Sequence, residues 1–278
     1  MAEVHVGVSG WSYDGWRGDF YPDDLPRRRW LAYVAERLTS VELNGSFYSL
    51  QRPTTYQRIA DDTPDGFPVA VKGGRFITHL RRLGDVGQGL ANFFASGVLL
   101  LGDGLGPLLW QLPGDFSFDD ERVRSFLERL PRDHHAAARL AGRHDDKVPD
   151  DRAVTSSRTG AVIRHALEPR HPSFGEPEAV ALLREQGVAL VASDSPGAWP
   201  CFDEDTADFR YVRLHGHTEL YASGYSSRSL DTWARKLRAW REAGQDAYVY
   251  FDNDARGRAP HDAVALIERL GQASASVS

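Results

Sequence analysis

The stretch His165-Ala166-Leu167-Glu168-Pro169-Arg170-His171-Pro172-Ser173-Phe174 decides how the rest of the chain is read. An apolar run begins at Ala161, ends in groups that carry charge or accept protons, and meets a helix start at Gly175-Glu176-Pro177-Glu178. Side chains alternate between the faces of a strand, so Ala166, Glu168 and Arg170 share one face and Leu167 and Pro169 the other. A strand that finishes in chemistry and then turns into a helix is one unit of an alternating β/α fold.

The same unit recurs on both sides of this stretch. Toward the N-terminus, Val4 to Ser9 reads as a strand, followed by Gly10-Trp11-Ser12-Tyr13-Asp14-Gly15-Trp16-Arg17, a platform for a planar ligand or a packing plug. Trp30, Val34 and Leu38 fall on one helical face. Ser40-Val41-Glu42-Leu43-Asn44 is a second strand with Glu42 and Asn44 pointing the same way, and Thr54-Thr55-Tyr56-Gln57 reads as a capping box opening a helix. Phe67 to Val71 is a third strand ending at Lys72-Gly73-Gly74-Arg75, with a helix expected over Val86 to Leu100. Leu108 to Pro113 is a fourth, and Asp119 caps the helix that buries Val123, Phe126, Leu127 and Leu130.

Beyond the central stretch, Ala189 to Asp194 is a sixth strand and Arg210 to His217 a seventh, with Tyr211, Arg213 and His215 on one face. A helix from Ser229 buries Leu230, Trp233, Leu237 and Trp240 and is ended by Gly244. Ala247 to Asp252 is the eighth strand, and the last helix has Pro260 in its first turn and Gly271 beyond its end. Eight strands, each followed by a helix, is an α/β chain of the (β/α)₈, TIM-like barrel type, a fold of typically about 250 residues. A doubly wound open sheet is the competitor, but the indole of Trp11 occupies the place where a glycine fingerprint needs backbone to approach a pyrophosphate. One domain over residues 1–271 is expected, with a polar surface insertion near 142–160 and a frayed, disordered tail over 272–278.

The composition agrees with such a chain. With 278 residues, of which 41% are hydrophobic, there is enough apolar material for one sizeable core. Cys201 is the single cysteine, which rules out an intrachain disulfide and a cysteine metal cluster and suits a reducing cytoplasm. It reads as a free structural thiol. No basic leader precedes a long apolar segment, and no window approaches a membrane span, so a soluble, cytoplasmic protein without a membrane partner is expected. The formal net charge of -6 provides no global field for nucleic acid.

The motifs Gly10-Trp11-Ser12-Tyr13, Val41-Glu42-Leu43-Asn44, Lys72 with Arg75-Phe76-Ile77-Thr78-His79, Gln111-Leu112-Pro113, Glu168 with Arg170-His171-Pro172-Ser173-Phe174, Tyr211-Val212-Arg213-Leu214-His215-Gly216, and Tyr248 to Asp254 occur in one order along nearly the whole chain. In that combination the chain resembles the YecE-like family. The resemblance implies a TIM barrel and no assigned activity, because the family is known mainly as a domain of unknown function. Two positions depart from it: Pro169 stands where an aromatic residue is usual, and Asp252 where asparagine is frequent.

Barrel proteins build their sites from the carboxyl ends of the strands. Collecting those ends gives Glu42 and Glu168 as proton-transferring carboxylates assisted by His215. Trp11, Asn44, Lys72, Gln111, Arg170, His171, Asp194, Arg213 and Asn253 are the substrate-binding candidates. Cations in this number point to an anionic or phosphorylated small molecule, since guanidinium forks match carboxylate and phosphate oxygens. Hydrolysis or a related cleavage by acid/base chemistry is the leading expectation. The bland reading is that the same charges pair with one another and only hold the barrel mouth together. No cofactor is indicated; a divalent metal on Glu42, Glu168, His171, Asp194 and His215 is possible but lacks the tight ligand spacing that would favour it. Metal-dependent cleavage of nucleic acid and non-catalytic binding of an anionic metabolite remain as alternatives. The oligomeric state is unknown.

Overall fold

The computed structural model describes residues 2–271, so the tail 272–278 lies outside the described residues. Among the described residues, nine strands are all paired in parallel and fall into two sheets. One sheet has the order β1 (Val4–Val8), β9 (Asp246–Phe251), β8 (Phe209–Leu214), β7 (Ala192–Asp194). The other has the order β2 (Val41–Leu43), β3 (Val69–Lys72), β4 (Leu105–Gln111), β5 (His165–Glu168), β6 (Ala189–Leu190).

The ninth strand arises because the sixth expected segment is divided at Val191. Ala189 and Leu190 pair with Ala166 and Leu167 of β5, whereas Ala192 to Asp194 pair with Val212 to Leu214 of β8. One extended segment therefore serves both sheets in turn, and the Val191 amide still donates to the Leu167 carbonyl at 2.9 Å. At the other junction Ser9 forms a parallel bridge with Glu42, and the Gly10 amide donates to the Glu42 carbonyl at 2.9 Å. Gly7 of β1 lies so close to the neighbouring chain that a Cβ there would sit 2.2 Å from the Ser40 carbonyl oxygen.

Strand alternation sorts the apolar residues into two clusters. Ala70, Leu109, Ala166, Ala189, Val191, Tyr211, Tyr248 and Tyr250 pack together although they come from both sheets. Their sequence neighbours, such as Val71, Leu108, Leu167, Leu190, Val212 and Val249, join the larger cluster with the helices. The expected face of the central stretch is thus observed: Ala166 packs among the strands and Leu167 against the helices.

Helices occupy the connections: α1 (Trp30–Ala35), α2 (Gly45–Tyr48), α3 (Pro53–Asp62), α4 (Gly87–Ala95), α5 (Asp120–Leu127), α6 (His134–Ala141), α7 (Pro177–Glu185), α8 (Ser227–Glu242) and α9 (Arg258–Leu270). Asp119 caps α5 by accepting from the Arg122 amide, and Gly271 at φ 67° closes α9. The expected capping box at Thr54 is absent. Helix α3 starts two residues earlier, with Arg52 at its N-cap and Pro53 in its first turn, so proline's fixed φ sets the entry, and Gln57 donates to Asp61 instead. The 142–160 segment is mostly exposed or half-buried. Asn92 ties it to α4 by donating to Asp145 and accepting from the Asp145 amide, and Val148 is buried beneath it. Among the described residues, no helix is long and apolar enough to cross a membrane.

Candidate functional site

The carboxyl ends of β1, β2, β5, β7, β8 and β9 deliver polar side chains to one place, and Arg213 sits at its centre. Its Nε donates to Glu42 Oε2 at 3.1 Å and its Nη1 to Glu168 Oε2 at 3.0 Å. Its Nη2 reaches Glu42 Oε1 at 2.9 Å, Ser9 Oγ at 2.8 Å and Asp252 Oδ2 at 3.0 Å. The carboxylates are satisfied from other sides as well. Glu42 accepts from Ser9 at 2.5 Å and from the Tyr211 hydroxyl at 2.6 Å, and Glu168 accepts from Ser193 at 3.0 Å. His215 Nε2 lies 3.2 Å from Glu168 Oε1 and 3.0 Å from Ser193 Oγ. Its Nδ1 is 3.0 Å from Asp252 Oδ2, close enough for charge attraction but outside hydrogen-bond geometry.

Charge and burial oppose each other in this floor. Burial alone would raise Glu168, but Arg213 and then His215 outweigh it and hold the carboxyl well below its ordinary range. The same balance puts Asp252 at about 2, with Arg213 and then His215 overcoming burial. Burial would likewise lower Arg213, yet Glu168, Glu42 and Asp252 keep it well above the usual guanidinium value. Glu168, Asp252 and Arg213 are therefore all charged at neutral pH.

Above this floor opens a cleft of about 610 Å³ lined by Tyr13, Asn44, Phe47, Lys72, Gln111, Arg170 and Asp252, with Arg75, His79 and Tyr221 around them. Its cations differ from Arg213 in one respect. Among the described residues, Lys72, Arg75 and Arg170 make no ion pair with a carboxylate. Lys72 Nζ lies 4.5 Å from the centre of the Phe47 ring, and burial followed by repulsion from Arg213 lowers its pKa to about 8. The Arg170 guanidinium stacks 3.8 Å over Trp199 and donates to the Tyr221 hydroxyl at 3.3 Å, leaving its Nε buried without a partner. Tyr221 adopts φ 62°, a conformation costly for a tyrosine, in the loop that follows β8. His79 lies within a π-helical turn over Phe76–Leu80, and burial, then Lys72, Arg170 and Arg75, lower its pKa.

A family model described as a protein of unknown function, DUF72, matches residues 5–278. The chain belongs to the DUF72 family. It is 22% identical to the UPF0759 protein YunF of Bacillus subtilis over 279 residues, covering 96% of this chain and 94% of YunF. A DUF72 family protein from Thermotoga maritima superposes with a TM-score of 0.77 at 25% identity, covering 97% of this chain and all of that one. A DUF72 family protein from Enterococcus faecalis gives 0.74 at 16% identity, over 97% and 96% of the two chains.

In this DUF72 chain, four of the expected ligand-binding residues, Asn44, Lys72, Gln111 and Arg170, line the cleft together. Glu42, Glu168 and His215 lie beneath it, each fully buried. Arg213 touches the cleft but is 1% exposed and donates from all three nitrogens to protein acceptors, so an anion finds no vacant fork there. Glu42 and Glu168, the expected proton carriers, accept hydrogen bonds from the protein at both oxygens of each carboxylate.

The other four expectations fall elsewhere. Trp11 faces a separate depression with Leu43 and Ile59, because the chain turns at Gly10 and Tyr13 takes the cleft position. His171 caps the short turn at Pro172 by accepting from the Ser173 amide. Asp194 accepts from the Trp233 indole of α8. Asn253 is fully buried and donates to Asp262 and the Ser223 carbonyl. A strand's last residue points to either face, and these four fall on the helix side or in the connecting loops. The fivefold metal set of Glu42, Glu168, His171, Asp194 and His215 is therefore not assembled, and no group of three potential ligands occurs among the described residues.

Asp252 is legible in the sequence as a charged strand end beside these candidates, whereas Ser9 and Ser193 are strand ends whose small side chains give no reason to select them. Trp199, Tyr221 and His79 come from loops or an irregular turn, where no periodicity announces which way a side chain points.

Proposed function

We propose that this DUF72 chain binds an anionic small molecule in the cleft and acts on it by acid/base chemistry. The observation that carries the reading is the contrast, among the described residues, between Arg213, matched by three carboxylates, and Lys72, Arg75 and Arg170, matched by none. Lys72 is buried and Arg170 half-buried, and cations left without counter-charges in such a partly desolvated wall favour an anion that supplies them, with Arg75 exposed at the rim. The lowered pKa of His79, which feels all three after its own burial, is consistent with a positive wall. Lys72, at about 8, is the cleft group poised to exchange a proton near neutral pH, in place of the buried Glu42 and Glu168. Hydrolysis or a related cleavage stays the reaction class of first choice.

The cleft belongs to an eight-membered (β/α)₈ ring in this reading, one domain of the YecE-like type. Support comes from the Ser9 and Glu42 bridge at one junction, the shared segment around Val191 at the other, and the apolar cluster drawn from both sheets. The YecE-like assignment rests on the sequence motifs. Metal-dependent cleavage of nucleic acid is less favoured, because the three clustered carboxylates already share a guanidinium as counter-ion.

Isothermal titration with inorganic phosphate tests the binding half. Arg170→Ala should weaken binding by about ten-fold or more, the usual worth of a charge-assisted hydrogen bond. Absence of heat with the wild-type chain, or identical affinity in the variant, refutes it. Tight binding of cellular anions with no product over hours would leave a non-catalytic binder.

A further inference from the structure

We infer that Lys72 is an amine nucleophile that forms a reversible imine with an anionic carbonyl compound, such as a 2-oxo acid or an aldehyde phosphate, held in the cleft. The inference deepens the anion-binding reading and rests on it for the choice of substrate class.

The geometry comes first. Lys72 is the last residue of β3, so rigid sheet backbone holds its Cα while the side chain runs into the cleft. Its residue exposure is 8%, and among the described residues its Nζ makes no hydrogen bond or ion pair. Its neighbour is the face of Phe47, which tolerates an ammonium but offers no acceptor that would fix it. A structural buried lysine has a carboxylate partner as a rule, because an isolated ammonium is costly in a desolvated place. Here the nearby carboxylates Glu42, Glu168 and Asp252 are all engaged by Arg213, and His79, Arg75 and Arg170 add only positive or neutral charge. An amine so placed is biased toward its neutral form, and its lowered pKa of about 8 agrees with that.

The step balances without a further reagent. The neutral Nζ adds to the carbonyl carbon, the oxygen takes up the two protons that the nitrogen loses and departs as water, and a C=N bond remains. Hydrolysis reverses it. Arg170 and Arg75 supply the counter-charge for the carboxylate or phosphate of the same molecule, which would place its carbonyl toward Lys72. The protonated imine then serves as an electron sink for bond cleavage next to it.

The chain helps the test, because Lys147 and Lys236 are its other lysines and serve as internal controls. The wild-type protein is incubated at neutral pH with pyruvate or with glycolaldehyde phosphate in the presence of sodium cyanoborohydride, and reduced adducts are located by peptide mass mapping. Lys72 should be labelled saturably and roughly a hundred-fold faster than Lys147 or Lys236, because holding the carbonyl beside one amine makes the addition effectively unimolecular there. The two probes separate the sources: labelling by one alone names the anion class. Acetaldehyde, which lacks an anionic group, should show no saturation. Lys72→Arg should remove the fast adduct, with circular dichroism confirming its fold. Slow, equal labelling of all three lysines overturns the inference. Phosphate calorimetry run in parallel keeps the two readings apart. Heat without a Lys72 adduct overturns the covalent step alone, and a fast Lys72 adduct without phosphate binding supports the covalent step and overturns the anion-binding reading.

Discussion

Arg213 and Glu42 grip each other through two hydrogen bonds, Nε to Oε2 at 3.1 Å and Nη2 to Oε1 at 2.9 Å, although 171 residues separate them in the chain. Both are buried, and the pair ties β8 of one sheet to β2 of the other. Removing one member of a buried network strands the charges it satisfied, which usually costs about 3–5 kcal/mol. Arg213→Met should therefore unfold at a much lower denaturant midpoint than the wild type, measured by circular dichroism. A loss below about 1 kcal/mol would mean that Glu42, Glu168 and Asp252 do not depend on this guanidinium.

Asp252 gives the network a pH signature. Its pKa is held at about 2, below the ordinary aspartate value of the unfolded chain, so the native state resists protonation. The stability this adds is complete above about pH 4 and is lost as pH falls through about 2, roughly 2 kcal/mol in all. Glu168, shifted in the same direction, adds to the loss in the acid range. Unfolding free energies of the wild type and Asp252→Asn between pH 7 and pH 2 should converge as the acid end is approached. Parallel curves would contradict the assigned shift.

Lys72 runs the other way. Its native pKa of about 8 lies below the 10.5 of a free side chain, so between those values the unfolded chain binds the proton that the native state has released. Stability should rise with pH across that window, and at pH 7 the wild type bears the full cost, about 3 kcal/mol. Lys72→Met should be the more stable protein at pH 7, with its advantage shrinking toward pH 10.5. A variant less stable than wild type at pH 7 would show that the ammonium is well satisfied where it is.

Gly7 tests the junction between the sheets. A Cβ at this position would meet the Ser40 carbonyl at 2.2 Å, and that partner is backbone that cannot swing away. Gly7→Ala should cost roughly 1–3 kcal/mol or more, read as a fall in melting temperature. Gly187→Ala is not a neutral control, because its φ of 58° carries its own strain; Gly15→Ala, with nothing within 4 Å, is the fair comparison. Equal melting temperatures for Gly7→Ala and Gly15→Ala would remove the tight seam.

Sequence alone determined the alternation of strand and helix, the faces of the central stretch and several helix ends, such as the Asp119 cap and the Gly271 stop, because these depend on residues that lie within one or two turns of each other. Ala166 and Leu167, or Asp119 and Arg122, need no distant partner to be placed. It also identified the strand tips Asn44, Lys72, Gln111 and Arg170, since a two-residue period carries a face along each strand. Only the tertiary structure decided which charge answers which. Arg213 could have served an anion or the protein, and it serves the protein because Glu42, Glu168 and Asp252 arrive from three other strand ends at hydrogen-bond distance. Lys72 is left facing the cleft for the same reason. Pairing among charges far apart in the chain is settled by distances of a few ångströms, and no local pattern of residues encodes those.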